Sequence, residues 1–81
     1  MISAEQIKAS RALLGWSAAE LAKRSTVGAT TLRRYEMLGG VPAVSLSVLM
    51  KLKATFESAG IEFTGHPLVN PGVTLRIKRD D

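Results

Sequence analysis

Residues 17–36, with the sequence SAAELAKRSTVGATTLRRYE, constrain the fold more than any other part of the chain. Ser17 and Glu20 have the spacing of a capping box, in which two side chains satisfy free backbone N–H groups in the first turn of a helix. Leu21 lies on an inward stripe that otherwise carries small residues, so a second helix can approach closely. Residues 26–28 then interrupt the helical pattern with Thr-Val-Gly. The stretch predicts two short helices joined by a tight corner.

The second of these helices is predicted over residues 29–37, with Gly28 as its N-cap and Gly39 just past its end. Leu32 and Tyr35 have the spacing of an inward face. The residues left on the outward side are Ala29, Thr30, Arg33 and Arg34. Two adjacent arginines are often no more than a solvated helix face, and a short corner can also occur in a plain helical bundle. Their place on the second helix is what favours a binding role.

Two further helices flank this unit. Ser3 and Gln6 have capping-box spacing, so a first helix is predicted to begin near Ala4 and to close at Gly15. A fourth helix is predicted over residues 45–59. Its apolar residues at helical spacing are Leu46, Leu49, Leu52 and Phe56.

The pattern changes to strand-like alternation after residue 60. Ile61 and Phe63 alternate with polar residues, as do Val73, Leu75 and Ile77, and the intervening GHPLVNPG contains two prolines and two glycines. A β-hairpin with a long loop is predicted. The fold class is therefore mainly α, with four helices and a C-terminal β-hairpin, in a helical unit of residues 1–60 and an extension of residues 61–81 belonging to the same domain.

The hairpin also predicts self-association. A two-stranded hairpin is marginal alone, and an exposed strand edge can pair with the same strand of a second copy. We expect a homodimer formed through Val73, Leu75 and Ile77.

The composition limits the function classes. An 81-residue chain with 46% apolar and 22% charged residues is typical of one small folded domain. It has no cysteine, which excludes disulfides and thiolate metal sites, and no run long enough for a membrane span or a signal peptide. We therefore expect a cytoplasmic protein that makes no membrane contact. The net charge of +4 favours a polyanionic partner.

No arrangement in the sequence indicates catalysis. His66 is the only histidine and stands in the loop between the predicted strands. Without a second imidazole or a thiolate it lacks co-ligands for a metal, and no Ser, His and acidic residue are spaced as a catalytic set. We expect no enzyme activity, no cofactor, no metal and no small-molecule ligand.

The string RALLGWSAAELAKRSTVGATTLRRYE, followed by a leucine-rich helix, resembles the lambda-repressor-like helix-turn-helix family of prokaryotic regulators, also called the xenobiotic-response-element family. The resemblance covers residues 7–56. It implies a helix-turn-helix that binds double-stranded DNA, with the first helix braced on the backbone and the second in the major groove. In that family, the positions of Arg11 and Glu36 form a partly buried ion pair, which would explain an arginine on the inward face of the first helix.

The resemblance also assigns DNA contacts. Ala29, Thr30 and Arg34 match base-contacting positions, and Arg33 lies on their flank. Ser17 and Ala18 match phosphate-contacting positions. Further phosphate contacts are expected from Lys23 and from the backbone N–H groups of Val44 and Ser45, at the positive end of the fourth helix.

Three features depart from the family pattern. Thr26 occupies a corner position that is usually glycine, and a β-branched residue disfavours positive φ, so the corner is expected either to be strained or to have a different shape. Gly28 replaces the usual Ser or Thr cap. The stretch MLGGVPAV after the second helix lacks the polar and basic residues that commonly contact phosphate.

The sequence thus predicts a sequence-specific DNA-binding transcriptional regulator of a bacterium or phage. The alternative is a protein-interaction module, such as an antitoxin component that binds its partner by addition of the C-terminal strand.

Overall fold

The computed structural model describes residues 1–42 and 44–77, which form four helices followed by a two-stranded antiparallel sheet. The prediction of a mainly helical chain with a C-terminal hairpin is confirmed. The elements are α1 (Ala4–Leu14), α2 (Ala18–Ser25), α3 (Ala29–Leu38), α4 (Leu46–Ser58), β1 (Ile61–Thr64) and β2 (Gly72–Leu75). No helix in the described ranges is both long and apolar enough to cross a membrane.

One apolar core joins the helices to the hairpin. Trp16, in the link between α1 and α2, stacks on Phe56 of α4 with ring centroids 5.9 Å apart, and Phe63 of β1 meets the same ring edge-on. Aromatic pairs of this kind add to the stability that burial provides. The buried core residues are Ile2, Ile7, Leu21, Val27, Leu32, Tyr35, Leu49, Leu52, Phe56 and Ile61.

The structure departs in detail from the sequence patterns of α2 and α4. The Ser17 hydroxyl caps α2 as predicted, but the Glu20 carboxylate accepts a hydrogen bond from Arg24 instead of completing the capping box. Leu46, which has the helical spacing of the predicted apolar residues of the fourth helix, is 61% exposed. It is the first residue of α4 and lies one turn before Leu49, where the buried stripe of that helix begins.

The hairpin is shorter than the alternation predicted. Ile61 pairs with Leu75, and the last bond of the ladder joins the Arg76 N–H to the Gly60 carbonyl at 2.8 Å. Beyond Gly60 the opposite chain belongs to the turn after α4, so β2 ends at Leu75 and Ile77 is 70% exposed. The predicted extension also included residues 78–81, which lie outside the described residues.

Gln6 connects α1 to the hairpin. Its side chain completes the predicted capping box, since Oε1 accepts the Ser3 N–H at 2.9 Å. The amide nitrogen of the same side chain donates to the carbonyls of Thr64 and Gly72 at 3.3 and 3.1 Å. Because Gln6 is buried, each of these bonds satisfies a polar group removed from water. The sequence indicated the cap but not the contact with the strands.

Ser10 is expected to be a destabilising residue. Its hydroxyl is fully buried and has no hydrogen-bond partner in the described part of the chain. A buried unsatisfied hydroxyl costs about 1–3 kcal/mol, and alanine is also the better helix former. We expect Ser10→Ala to raise the free energy of unfolding by about 1–2 kcal/mol, measured by urea denaturation followed by circular dichroism.

Ser25 provides a control of opposite sign. Its buried hydroxyl donates to the Leu21 carbonyl at 2.7 Å and accepts the Val27 N–H at 3.2 Å. Ser25→Ala is expected to cost about 1 kcal/mol. Equal effects of the two substitutions would contradict the assignment of Ser10 as the unsatisfied group.

Candidate nucleic-acid interface

Helices α2 and α3 pack against each other across a three-residue corner, residues 26–28. Leu21 and Leu32 are fully buried, and Val27 of the corner is 8% exposed. The Ser25 hydroxyl bonds to the backbone of Leu21 in α2 and to the backbone of Val27 in the corner. The corner is therefore fixed by apolar burial and by hydrogen bonds, and it holds α3 in one orientation relative to α2.

Thr26 has the left-handed conformation for which the sequence predicted strain. Its φ is 62° and its ψ is 16°, and no other non-glycine residue in the described ranges has a positive φ. The Thr26 N–H closes α2 by donating to the Ala22 carbonyl at 2.9 Å, and the left-handed conformation then turns the chain out of the helix into the corner. This backbone geometry costs a residue with a side chain roughly 1–2 kcal/mol.

Thr26→Gly is expected to stabilise the protein. Glycine relieves the strain but adds freedom to the unfolded chain, so we expect a net gain of about 0.5–1 kcal/mol. Urea denaturation measures it. Gly15 is the matched control, because it has φ 69° and a Cβ added there would meet no atom within 4 Å, so Gly15→Ala tests backbone strain alone and should destabilise. A loss of stability in Thr26→Gly would show that the threonine contacts outweigh the strain.

The far end of α3 is held by an ion pair. The Arg11 guanidinium donates through Nε and Nη2 to the two carboxylate oxygens of Glu36, both at 2.9 Å. Its Nη1 also donates to the Trp16 carbonyl at 2.8 Å. The side chains are 20% and 11% exposed, so the pair is partly buried. Planar, forked geometry of this kind fixes orientation as well as distance.

The chain leaving α3 is attached to the start of α1. Gly39 and Gly40 both have positive φ, and the resulting turn lets the Gly40 N–H donate to the Glu5 carboxylate at 3.1 Å. The Gly40 carbonyl accepts the Ala4 N–H at 2.7 Å. Together with the Arg11–Glu36 pair, these bonds fix the C-terminal end of α3 against α1. This contact was not indicated by the sequence.

The outward face of α3 carries the predicted base-contacting residues. Thr30, Arg33 and Arg34 are exposed, whereas Ala29 at the start of the helix is half-buried. The same face continues to Met37 and Leu38, which are 86% and 76% exposed. Met37 and Leu38 were not predicted as part of this face, although each lies four residues after one of its arginines.

The two arginines on this face have no acidic partner among the described residues. The other described arginines each pair with a glutamate: Arg11 with Glu36, Arg24 with Glu20 and Arg76 with Glu62. The carboxylate of Glu62 raises the pKa of Arg76 through its hydrogen bond and its charge. The positive charge of Arg33 and Arg34 is therefore available to an anionic ligand.

The predicted phosphate-contacting residues differ in their exposure and in whether their polar groups are already hydrogen-bonded. Ser17 is exposed, but its hydroxyl already accepts an N–H of the first turn of α2 at 3.0 Å. Ala18 has no side-chain donor, so it can offer only its backbone N–H to a phosphate, and the residue is only 8% exposed. Lys23 is exposed on α2. The Val44 N–H, predicted to contact phosphate, already donates to the Pro42 carbonyl at 2.9 Å, whereas Ser45 is the exposed N-cap of α4 without a side-chain cap bond.

No family model, curated protein or solved structure matches this chain. The function is therefore inferred from the geometry: a rigid helix presents two unpaired arginines and a threonine, with the positive end of a second helix nearby. Such a surface can bind an extended polyanion and can place hydrogen-bond donors into a groove.

The rest of the described chain offers no comparable chemical site. Within residues 1–42 and 44–77, no three histidine, aspartate or glutamate side chains are placed to hold a metal ion. His66 lies in the hairpin loop, where its Nδ1 accepts the Leu68 N–H at 3.1 Å. That bond gives the imidazole a local structural role.

Proposed function

We propose that the protein is a sequence-specific DNA-binding transcriptional regulator built on a lambda-repressor-like helix-turn-helix. The observation that supports this most directly is the face of α3. Thr30, Arg33 and Arg34 are exposed there, and the two arginines have no acidic partner among the described residues. In this proposal α3 lies in the major groove and α2 braces across the backbone.

Each exposed side chain has a distinct role in the complex. Arg34 donates a bidentate pair of hydrogen bonds to O6 and N7 of a guanine, the most common specific contact in the major groove. Thr30 contacts a neighbouring base edge through its hydroxyl or methyl group. Arg33 contacts a base edge on the flank of this set, and Lys23, on α2, contacts a phosphate, which adds affinity without sequence preference.

A selection from random duplexes tests the proposal. The protein is incubated with a randomised double-stranded pool at two salt concentrations, and bound duplexes are separated by gel shift and sequenced. Enrichment of one motif at both concentrations supports a specific regulator. Binding that enriches no motif and disappears at the higher salt concentration would indicate non-specific phosphate contact and contradict the proposal.

The proposed regulator acts as a homodimer through the outer edge of β2. In the hairpin register, Val73 and Leu75 occupy non-hydrogen-bonded pairs, so their backbone groups face that edge while their side chains pack partly on the core. Ile77 supplies exposed apolar surface next to it. A twofold dimer can place two copies of α3 on successive major-groove faces about 34 Å apart.

Sedimentation and hydrogen exchange test the dimer. We expect a dimer at micromolar concentration, with slow exchange of the Val73 and Leu75 amides. A monomer at high micromolar concentration, in which these amides exchange freely, would refute it.

A protein-interaction module is the second candidate function. It is favoured by an apolar cleft of about 720 Å³ that opens beside the end of β2 and is lined in part by Leu14, Ile61, Leu75 and Ile77. A partner strand added to β2 could insert a side chain there. An antitoxin role predicts that a toxin encoded by an adjacent gene co-purifies with the chain, and that Ile77→Asp abolishes this co-purification.

A further inference from the structure

Met37 is the most exposed large apolar side chain in the described part of the chain, at 86%. It follows Thr30, Arg33 and Arg34 at spacings of seven, four and three residues, so all four side chains lie along one face of α3. Together with Leu38 they line a shallow hollow of about 330 Å³. The face is therefore basic in its middle and apolar at its C-terminal end.

This combination defines the chemistry of the ligand. Removing exposed apolar surface from water is favourable, and guanidinium groups without a partner form favourable hydrogen bonds with acceptor atoms or anions. A ligand for the whole face must therefore offer acceptors and, immediately beside them, an apolar group. The major groove offers this arrangement where a guanine is close to a thymine, whose C5-methyl group projects into the groove.

Helix geometry sets the distance between the two contacts. An α-helix rises about 1.5 Å per residue, so Arg34 and Met37 are separated by about 4.5 Å along the axis of α3. Successive base pairs are about 3.4 Å apart. Because α3 in the groove is inclined to the DNA axis, this separation is an upper limit along that axis, so the two side chains reach base pairs that are no more than two steps apart.

We propose that Met37 is a specificity-determining residue that contacts the 5-methyl group of a thymine one or two base pairs from the base pair contacted by Arg34. The inference rests on the proposed DNA-binding function and assigns it a second element of base recognition. Methionine suits this role because its unbranched thioether adapts to an irregular apolar surface.

Replacement of thymine by deoxyuridine tests the contact, because it removes only the methyl group. The motif enriched from random duplexes is resynthesised with deoxyuridine at each thymine in turn. For the unaltered protein we expect one position at which the substitution weakens binding about three- to fivefold, as for loss of one buried methyl group. Met37→Ala should bind the thymine and deoxyuridine duplexes equally.

Met50→Ala is the matched control. Met50 is also an exposed methionine, 61% exposed, but it lies on α4, so its replacement should leave the three- to fivefold difference intact. Circular dichroism establishes that both variants are folded.

The outcomes separate this inference from the proposed function. An enriched motif without thymine near the guanine, or an unchanged deoxyuridine effect in Met37→Ala, would overturn the role of Met37 and leave DNA binding standing. Loss of binding to another protein in Met37→Ala, with DNA affinity unchanged, would assign Met37 to a protein interface and also overturn it. Failure to enrich any motif would refute the proposed function and this inference together.

Discussion

Glu36→Gln is expected to lower the free energy of unfolding by about 2–4 kcal/mol, the largest stability effect predicted for this chain. The substitution leaves Arg11 without a counter-ion in a position where its side chain is only 20% exposed. Breaking a fully buried ion pair costs about 3–5 kcal/mol and breaking an exposed pair about 1 kcal/mol or less. The Arg11–Glu36 pair lies between these cases, nearer to the buried one.

Chemical denaturation of Glu36→Gln beside Glu20→Gln isolates the contribution of burial. Glu20 forms the same kind of pair with Arg24, but those side chains are 38% and 50% exposed, so we expect a loss below about 1 kcal/mol. Replacing both Arg11 and Glu36 by methionine should recover part of the loss, because no charge is then left unpaired. A loss below about 1 kcal/mol for Glu36→Gln itself would mean that water reaches the pair freely.

Arg34→Ala is expected to remove discrimination at one base pair of the operator. Loss of a bidentate contact to guanine is worth about 1–3 kcal/mol, or roughly 5- to 150-fold in relative affinity. The selected motif should therefore become degenerate at that position and remain defined elsewhere. Repeating the random-duplex selection with the variant measures this directly.

Lys23→Ala is the control for Arg34→Ala. A phosphate contact carries no sequence information, so this variant should bind all duplexes more weakly. The slope of log K against log salt concentration should also become less steep by about one. A motif unchanged by Arg34→Ala would show that another residue reads the base. A motif altered by Lys23→Ala would place α2 closer to the bases than proposed.

Local signals predicted the helices well, because caps and corners depend on residues close in sequence. Ser3 with Gln6, Ser17 and Gly28 each mark a helix start that the structure contains. The sequence predicted either strain or a different shape at the corner, and the positive φ of the β-branched Thr26 shows that it is strained.

What the sequence did not predict depends on residues far apart in the chain. The spacing of Leu46 gave no sign that the buried stripe of α4 begins only at Leu49, one turn later. Likewise, the alternation predicted Ile77 as part of a strand, but β1 begins at Ile61, opposite Leu75, and so has no residue to pair with Ile77. Periodicity identifies a face, but the extent of that face depends on the element that packs on it.

In the candidate site, too, features set by neighbouring residues were predicted and features set by distant residues were not. The exposure of Thr30, Arg33 and Arg34 follows from helical spacing once Leu32 and Tyr35 are placed inside. The bond between Glu5 and Gly40 could not be foreseen, because it depends on two consecutive glycines with positive φ that turn the chain toward α1.

The hydrogen bonds of Gln6 also make the contacts of the first helix depend on residues that are synthesised much later. The first helix has buried polar atoms whose partners, the carbonyls of Thr64 and Gly72, lie 58 and 66 residues further along the chain. While those residues are still within the ribosome, the amide of Gln6 has no native partner on the strands. The contact of α1 with the hairpin can therefore form only after residues 64–72 have left the ribosome, and links between residues this far apart favour slower folding than the local contacts of a simple helical bundle.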